Sequence, residues 1–205
     1  MLNHMNLRHT RGFTMVELAI AIAILGLLFA FAAPSVSTMI RNTQIRNAAE
    51  SIQNGLQLAR TAALRQNRNV SFWLVSSTDP KNLDSSCTTS ATGPSWMVSV
   101  NDPTGKCDIT VSDSTDPMTV DKHAAGEGSL NTVLTSQPTS GADRVTFNGL
   151  GQRISGSNQY TQINIALNNA SSDDRPMRIE IGTGGLIRMC DPSVTASTDS
   201  RRCLY

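Results

Sequence analysis

One block near the N-terminus constrains this chain more than any other feature. From Met15 to Ala33 the sequence runs for 19 residues with a single polar side chain, Glu17. As a helix this block is about 28 Å long at roughly 1.5 Å per residue, close to the ~30 Å hydrocarbon core of a bilayer. Because Arg8 and Arg11 precede it, the positive-inside rule places residues 1–12 in the cytoplasm. We expect a transmembrane segment at about 15–33 and an extracytoplasmic remainder.

A cleaved secretory signal is the alternative interpretation of this block. A basic start, an apolar run and the two alanines of Ala30-Phe31-Ala32 would direct cleavage near Pro34 and release a soluble periplasmic protein. A soluble periplasmic enzyme is the most remote alternative for the function. Glu17 favours the anchor, because a carboxylate in an apolar segment costs up to a few kcal/mol unless it is protonated, near the interface or paired. Apolar residues also continue at helical spacing beyond Pro34, at Ile45, Ala48, Ile52, Leu56, Ala59 and Ala63. We predict a helix over 13–68, bent at Pro34.

Short strand-like runs replace the helical pattern after residue 68. These short runs lie at Val70–Val75, Trp96–Val100 and Ile109–Val111, and alternation of apolar and polar residues follows at 163–167 and 177–181. Such alternation indicates one buried and one solvated face. We therefore predict an α+β fold, in which the polar-side half of the long helix packs on an antiparallel β-rich body over 69–205.

The N-terminal motif resembles a known processing signal. Arg11-Gly12-Phe13-Thr14-Met15-Val16-Glu17-Leu18 is similar to the prepilin cleavage motif of type IV pilins and type II secretion pseudopilins. The resemblance implies that prepilin peptidase removes residues 1–12 by cutting after Gly12 and methylates Phe13. Glu17 then lies fifth in the mature chain, and Pro34 lies at the family's helix-kinking proline. Loss of the leader removes Arg8 and Arg11, which leaves 15 of 17 basic side chains against 16 acidic ones.

Glu17 gains a specific partner under this interpretation. In a filament the Glu17 carboxylate of an incoming subunit can meet the terminal ammonium of its neighbour in a core without water. Attraction is strong there and an unpaired carboxylate is costly, so Glu17 would set the axial register. The implied partners are prepilin peptidase, other minor and major pilins, and the inner membrane before assembly. No cofactor and no small-molecule substrate are expected.

The body carries a second resemblance, to the GspH/FimT (FimU-like) branch of minor pilins. Its segments are 145–152, 163–165, 178–181 and 185–192, the last reading Gly-Leu-Ile-Arg-Met-Cys-Asp-Pro. The resemblance implies a long N-terminal helix and two β-sheets. It also implies a minor pilin that helps to initiate or cap type IV pilus assembly, for adhesion or twitching motility. The H-type pseudopilin of a type II secretion system shares every motif used and stays open.

Four cysteines follow the apolar block: Cys87, Cys107, Cys190 and Cys203. In an oxidising compartment an even set predicts disulfides. Proximity along the chain favours Cys87–Cys107 and Cys190–Cys203, one of three connectivities. A metal site is disfavoured because the chain lacks a Cys-x-x-Cys motif and His123 is the one histidine after the leader.

Catalytic signals are weak throughout the chain. His123 lies in Asp121-Lys122-His123-Ala124-Ala125-Gly126, which we interpret as a solvated polar loop, and no serine has the context of a nucleophile elbow. Phosphate-binding loops and spaced carboxylate pairs are also missing from the sequence. We predict no enzyme activity.

Charge is distributed unevenly along the body. Residues 79–143 carry three Lys and nine acidic side chains, whereas 144–205 carry seven Arg and five acidic ones. Some FimT-type minor pilins bind DNA through a C-terminal Gly-Arg-x-Arg motif, and the matching stretch here, Gly185-Leu186-Ile187-Arg188, has Leu in place of the first Arg. Arg188, Arg201 and Arg202 are the candidate DNA contacts, against the alternative that they pair with Asp191 and Asp199. Three charges give a weak, salt-sensitive term.

Overall fold

This computed structural model of the protein describes residues 12–128, 130–138 and 141–204, and describes no side chains for 29–35. The predicted leader lies outside these residues except for Gly12. The chain divides into two compact units between Met39 and Ile40. One helix, α1 (Met15–Gln66), contributes to both.

Both ends of α1 are capped by local hydrogen bonds. At its start the Thr14 hydroxyl accepts the backbone N–H of Glu17 at 3.2 Å. At its end Asn67 is left-handed, with φ of 48°, and the N–H of Arg68 donates to the Ala63 carbonyl at 3.3 Å. This is a Schellman-type cap with Asn in the position that Gly usually takes. The helix therefore ends two residues before the predicted limit.

The stripe predicted from helical spacing is the buried face of α1 in the second unit. Its members are 0–3% exposed: Ile45, Ala48, Ile52, Leu56, Ala59 and Ala63. Burying an Ile or Leu side chain contributes about 1.5–3 kcal/mol, and the small alanines let the strands approach the helix closely. The helical pattern beyond Pro34 is thus confirmed.

Within the described residues the second unit contains nine strands. They are β1 (Val70–Ser76), β2 (Thr88–Thr89), β3 (Ser95–Ser99), β4 (Thr119–His123), β5 (Thr132–Gln137), β6 (Arg144–Phe147), β7 (Gln162–Leu167), β8 (Met177–Ile181) and β9 (Ile187–Cys190). A 3₁₀ turn, Ala125–Glu127, follows β4. Strands β2, β1, β3 and β4 form one sheet in that order, with β6 also paired to β1, and β5, β7, β8 and β9 form the other. Every pair is antiparallel, so the predicted α+β fold with two sheets is confirmed.

Two hydrophobic clusters hold this unit together. The larger contains the α1 stripe, Phe72 and Leu74 of β1, and inward residues of both sheets. The smaller lies around Trp73, on the opposite face of β1, and contains the Cys87–Cys107 pair. Burial on both faces accounts for the apolar run of β1, which only Ser71 interrupts before Ser76.

The strand predicted at Ile109–Val111 is wrong. The N–H of Ile109 donates to the Lys106 carbonyl in a turn, and the Lys122 ammonium donates to the carbonyls of Cys107 and Ile109 at 2.6 and 3.0 Å. These bonds satisfy backbone carbonyls of the segment without strand pairing. Val111 is 61% exposed. The more polar segment Thr119–His123 pairs with β3 instead.

Candidate functional site

The N-terminal part of α1 presents apolar side chains all round. Every described side chain from 12 to 28 is exposed, and the ten large apolar ones are 52–87% exposed: Phe13, Met15, Val16, Leu18, Ile20, Ile22, Ile24, Leu25, Leu27 and Leu28. A helix that is apolar all round is stable only among other apolar groups. Among the described residues, no helix meets both the length and the hydropathy of a membrane span. The predicted segment 15–33 includes side chains outside that set and stays a prediction.

Glu17 occupies the first turn of α1. Its carboxylate lies at the positive end of the helix macrodipole, where a negative charge is favourable. Thr14 and Glu17 have the spacing of a capping box, and the hydrogen bond from the Glu17 N–H to the Thr14 hydroxyl supplies one half of it. Our sequence interpretation missed this second role, although the Thr-x-x-Glu spacing indicates it.

The proposed cleavage position lies just before the helix. Gly12 and Phe13 are exposed and outside α1, and a Cβ on Gly12 would meet nothing within 4 Å. Packing within the described chain therefore gives no reason for glycine at this position. Helix α1 continues through Pro34, and the predicted bend depends on residues whose side chains are not described, so it stays a prediction.

Both disulfides favoured by proximity are formed. Cys87 and Cys107 join at 2.04 Å and Cys190 and Cys203 at 2.06 Å. The first bond is buried in the smaller cluster. The second joins β9 to the C-terminal tail and closes a loop with a sequence separation of 13.

Three further contacts fix this C-terminal loop. The Asp191 N–H donates to the Arg201 carbonyl at 2.8 Å. The buried Glu180 carboxylate of β8 accepts the Leu204 N–H at 2.9 and 3.1 Å. The Arg188 guanidinium donates to the Ser200 carbonyl at 3.0 Å and to the Arg202 carbonyl. Arg188 therefore clamps the loop from β9.

The three candidate DNA contacts lie on or beside the C-terminal loop, but two of them have internal partners. Arg188 binds the loop carbonyls, and Arg201 pairs with Asp199 at 2.7 Å. The hydrogen bond from Arg201 lowers the pKa of Asp199 to about 2. Arg202 is exposed. DNA contact by these residues stays a prediction, and releasing Arg188 or Arg201 for it would cost their internal bonds.

His123 is not in a solvated loop, and that interpretation is wrong. It is the last residue of β4, its ring stacks on Trp96 with centroids 5.6 Å apart, and its Nδ1 lies 2.7 Å from Glu127 Oε2. The Trp96 indole N–H in turn donates to Ser51 Oγ of α1 at 3.0 Å. The sequence interpretation missed that Trp96, on the strand that pairs with β4, lies opposite His123.

A cavity of about 670 Å³ opens beside this stack. Its wall includes the polar side of α1 (Asn47, Glu50, Ser51 and Asn54) and, across from it, Asp121, His123 and Glu127. Within this wall Ser51 Oγ accepts the indole N–H of Trp96, whose ring stacks on His123. The arrangement serves to join helix and sheet through the aromatic stack.

Potential metal ligands converge at one place in the described chain. Glu180, Cys190 and Cys203 have ligand atoms within 4.8 Å of one another. Both sulfurs belong to the disulfide, and metals bind the thiolate form of cysteine. These three residues hold the C-terminal tail against the sheet, through the disulfide and the bonds from the Leu204 N–H to Glu180.

An exposed apolar helix start that continues into a helix packed on two antiparallel sheets is the architecture of the pilin class. Residues 7–33 match the prokaryotic N-terminal methylation motif. Residues 48–185, more than half of the chain, match the family of the type II transport protein GspH. The chain belongs to the GspH family.

Two solved structures are similar to the chain, both of the type IV minor pilin FimU from Pseudomonas aeruginosa strain PAO1. One is 16% identical, has a TM-score of 0.44, and covers 72% of this chain and 97% of its own. The other is 18% identical, has a TM-score of 0.46, and covers 74% and 94%. Comparison with curated protein sequences found no match.

Proposed function

We propose that this protein is a minor pilin of a type IV pilus, which prepilin peptidase cuts between Gly12 and Phe13 and which helps to initiate or cap pilus assembly. Before assembly it is anchored in the inner membrane with its body in the periplasm. The observation that carries the proposal is the exposed apolar start of α1, with Glu17 in its first turn. Such a surface needs lipid or neighbouring helices around it.

The mature N-terminus tests the processing step. Mass spectrometry of the purified protein should find a chain that begins at methylated Phe13. A chain that begins near Pro34 would instead indicate a cleaved secretory signal and would contradict the proposal.

Glu17 variants separate its two roles. Glu17→Gln keeps a side chain suited to the capping box but has no charge to pair with a terminal ammonium, whereas Glu17→Val has neither property. If charge pairing sets the register, both variants insert into the membrane and both fail to enter pili. Glu50→Gln is the matched control, because Glu50 is an exposed glutamate of the same helix that pairs with Arg46 at 3.0 Å. Normal incorporation of Glu17→Gln would mean that the charge of Glu17 does not set the register and that its role is in the helix cap.

The second candidate is the H-type pseudopilin of a type II secretion system, which the description of the matching family favours. Deleting the gene and scoring surface pili and secreted proteins separately distinguishes the two. Loss of pili with normal secretion supports the pilus, and the reverse supports the secretion system. In both cases the proposed role is structural and non-enzymatic.

A further inference from the structure

Three potential metal ligands meet where the C-terminal tail joins β9, the edge strand of the second sheet. Glu180 and Cys190 are 4% and 2% exposed, and Cys203 is half-buried. A carboxylate oxygen of Glu180 and the two sulfurs lie within 4.8 Å of one another. We call these three residues the tail cluster. Its sulfurs are bonded to each other in the disulfide, but as thiolates both are metal ligands.

Two members of the tail cluster are placed by strand pairing and not by the disulfide. Glu180 of β8 pairs with Arg188 of β9, and Cys190 lies two residues beyond Arg188 on the same strand. Alternate residues of a strand point to the same face, and residues offset by two on adjacent strands are diagonal neighbours. The Glu180 carboxylate and the Cys190 sulfur therefore stay close when the disulfide is open.

The third member, Cys203, is kept near the sheet by contacts that do not involve its sulfur. The Arg188 guanidinium donates to the carbonyl of Arg202, just before it. The Leu204 N–H, just after it, donates to the Glu180 carboxylate at 2.9 and 3.1 Å. A carboxylate has about four acceptor sites on its two oxygens, so Glu180 can keep this bond and also ligate a metal.

The donor set and the surrounding charge suit a zinc ion. Zn²⁺ takes Cys sulfur at about 2.3 Å and carboxylate oxygen at about 2.0–2.2 Å in tetrahedral sites, and three protein ligands leave the fourth position to water. Two thiolates and one carboxylate give the zinc complex a net negative charge, which the guanidinium of Arg188, opposite Glu180, offsets. Mg²⁺ and Ca²⁺ are disfavoured because they prefer oxygen ligands alone.

The other cysteine pair lacks these features. Cys87 and Cys107 are buried in the smaller hydrophobic cluster, and no third ligand group joins them among the described residues. The tail cluster also has no signature in the sequence, because its ligands come from two strands and the tail. The missing Cys-x-x-Cys motif, which led us to disfavour a metal, therefore does not apply to this arrangement.

We propose that the tail cluster binds Zn²⁺ when the pair of Cys190 and Cys203 is reduced, through both thiolates and one oxygen of Glu180. A newly made chain carries both cysteines as thiols, so the metal and the disulfide compete for the same two sulfurs. Binding releases the two thiol protons, and each sulfur gives an electron pair to the metal. Bound Zn²⁺ therefore retards closure of this disulfide, and the tail is joined to the sheet in both states.

Metal titration of the full-length chain in detergent tests the proposal. A water-soluble phosphine reduces the protein: it attacks one sulfur, the S–S bond breaks, and water converts the phosphine to its oxide and leaves two thiols. Alkylation and mass spectrometry identify the reduced cysteines. Co²⁺ is the optical probe, because thiolate ligands give it a charge-transfer band, and Zn²⁺ displaces it. We expect one metal ion for each reduced chain and none for the oxidised chain. Equal binding by the two forms would overturn the proposal.

Variants test the ligands. Cys190→Ser combined with Cys203→Ser keeps the other cysteine pair and should abolish the charge-transfer band. Glu180→Gln keeps both thiols and an oxygen acceptor for the tail but removes the anionic ligand, and it should weaken Zn²⁺ binding about tenfold or more. Glu50→Gln, an exposed glutamate on α1, is the matched control and should bind as the wild type does. A band that persists in the double serine variant, or equal affinity of Glu180→Gln and wild type, would overturn the site.

The rate of disulfide formation gives a measurement on the unmutated chain. After the phosphine is removed, the reduced protein is oxidised with oxidised glutathione in the presence of Zn²⁺ or of a chelator, and each disulfide is followed by mass spectrometry. Zn²⁺ should slow closure of Cys190–Cys203 about tenfold or more relative to Cys87–Cys107, since the loss of one ligand group already changes metal affinity by that much. Equal slowing of both pairs, or no slowing of either, would contradict a zinc site in the tail cluster.

Discussion

The Glu180 carboxylate binds the end of the chain, because its two oxygens accept the same backbone N–H, that of Leu204, at 2.9 and 3.1 Å. Glu180 is 4% exposed and lies on β8, next to the strand that bears Cys190. A buried side chain of the sheet thus fixes a tail that a disulfide also holds.

Removing this acceptor should destabilise the protein. We expect Glu180→Leu to lower the free energy of unfolding by about 1–3 kcal/mol, since a charge-assisted hydrogen bond is lost. Glu180→Gln keeps one oxygen acceptor and should cost less. Urea denaturation measures both, and faster hydrogen exchange at Leu204 should accompany the loss. Equal stability of Glu180→Leu and wild type would contradict a stabilising role for the bonds between Glu180 and the Leu204 N–H.

The two disulfides should differ in their contribution. Replacing Cys190 and Cys203 by Ser releases a loop of near 15 residues, which costs ~3 kcal/mol in the entropic account. Replacing Cys87 and Cys107 should cost more, because that bond is also part of the buried cluster around Trp73. Thermal unfolding of the two double variants compares them. A smaller loss for the buried pair would refute the ranking.

The ion pair between Arg41 and Asp174 should make stability depend on pH. The Arg41 Nε donates to Asp174 at 2.8 Å, and this bond lowers the pKa of the Asp174 carboxyl. A carboxyl whose pKa is lower in the folded chain contributes stability above its unfolded pKa of about 3.9, and this contribution is lost as pH falls through the folded value.

Asp174→Asn should therefore melt below wild type at pH 7, and the difference should shrink as the pH falls below about 4. Asp173→Asn is the matched control, because Asp173 is exposed and its backbone carbonyl, which the substitution keeps, accepts from the Asn42 amide at 3.3 Å. A difference that persists unchanged at low pH would rule out the ion pair as its cause.

The sequence was most informative where chemistry is encoded by neighbouring residues. Gly12, Phe13 and Glu17 lie within six residues of one another along the chain, and the α1 stripe repeats every three or four residues, so both patterns could be recognised without tertiary information. The strand at Thr119–His123 could not, because its central residues Asp121 and Lys122 are polar and its position depends on pairing with β3.

Contacts between distant residues were also beyond sequence reasoning. Arg188 binds carbonyls 12 and 14 residues away, which the Cys190–Cys203 bond and the other contacts of the C-terminal loop bring close. His123 stacks on Trp96, which is adjacent only after β3 and β4 pair. The sequence predicted a solvated loop for His123, and phosphate or carboxylate partners for Arg188, whereas the partners of both side chains come from the fold.

Gly185 should tolerate no side chain, whereas its neighbour Gly184 should. A Cβ on Gly185 would lie 1.9 Å from a carbonyl oxygen, at a φ of +81° that L residues rarely adopt, whereas a Cβ on Gly184 would meet nothing within 4 Å. We expect Gly185→Ala to cost well over about 1 kcal/mol and Gly184→Ala to change stability little. Equal melting temperatures for the two variants would contradict the close approach of Gly185 to the Gly151 carbonyl.

DNA binding by the C-terminal loop should be weak, because Arg188 and Arg201 are engaged within the loop. Each phosphate contact contributes about −0.9 to the slope of log affinity against log salt concentration. If Arg202 alone meets phosphate, Arg202→Ala should change the slope by about one, and the triple variant with Arg188→Ala and Arg201→Ala should change it no further. Gel shifts of the full-length protein at two salt concentrations measure both slopes. A change near three for the triple variant would mean that Arg188 and Arg201 leave their internal partners to bind DNA, and no change in either variant would remove the loop as a DNA site.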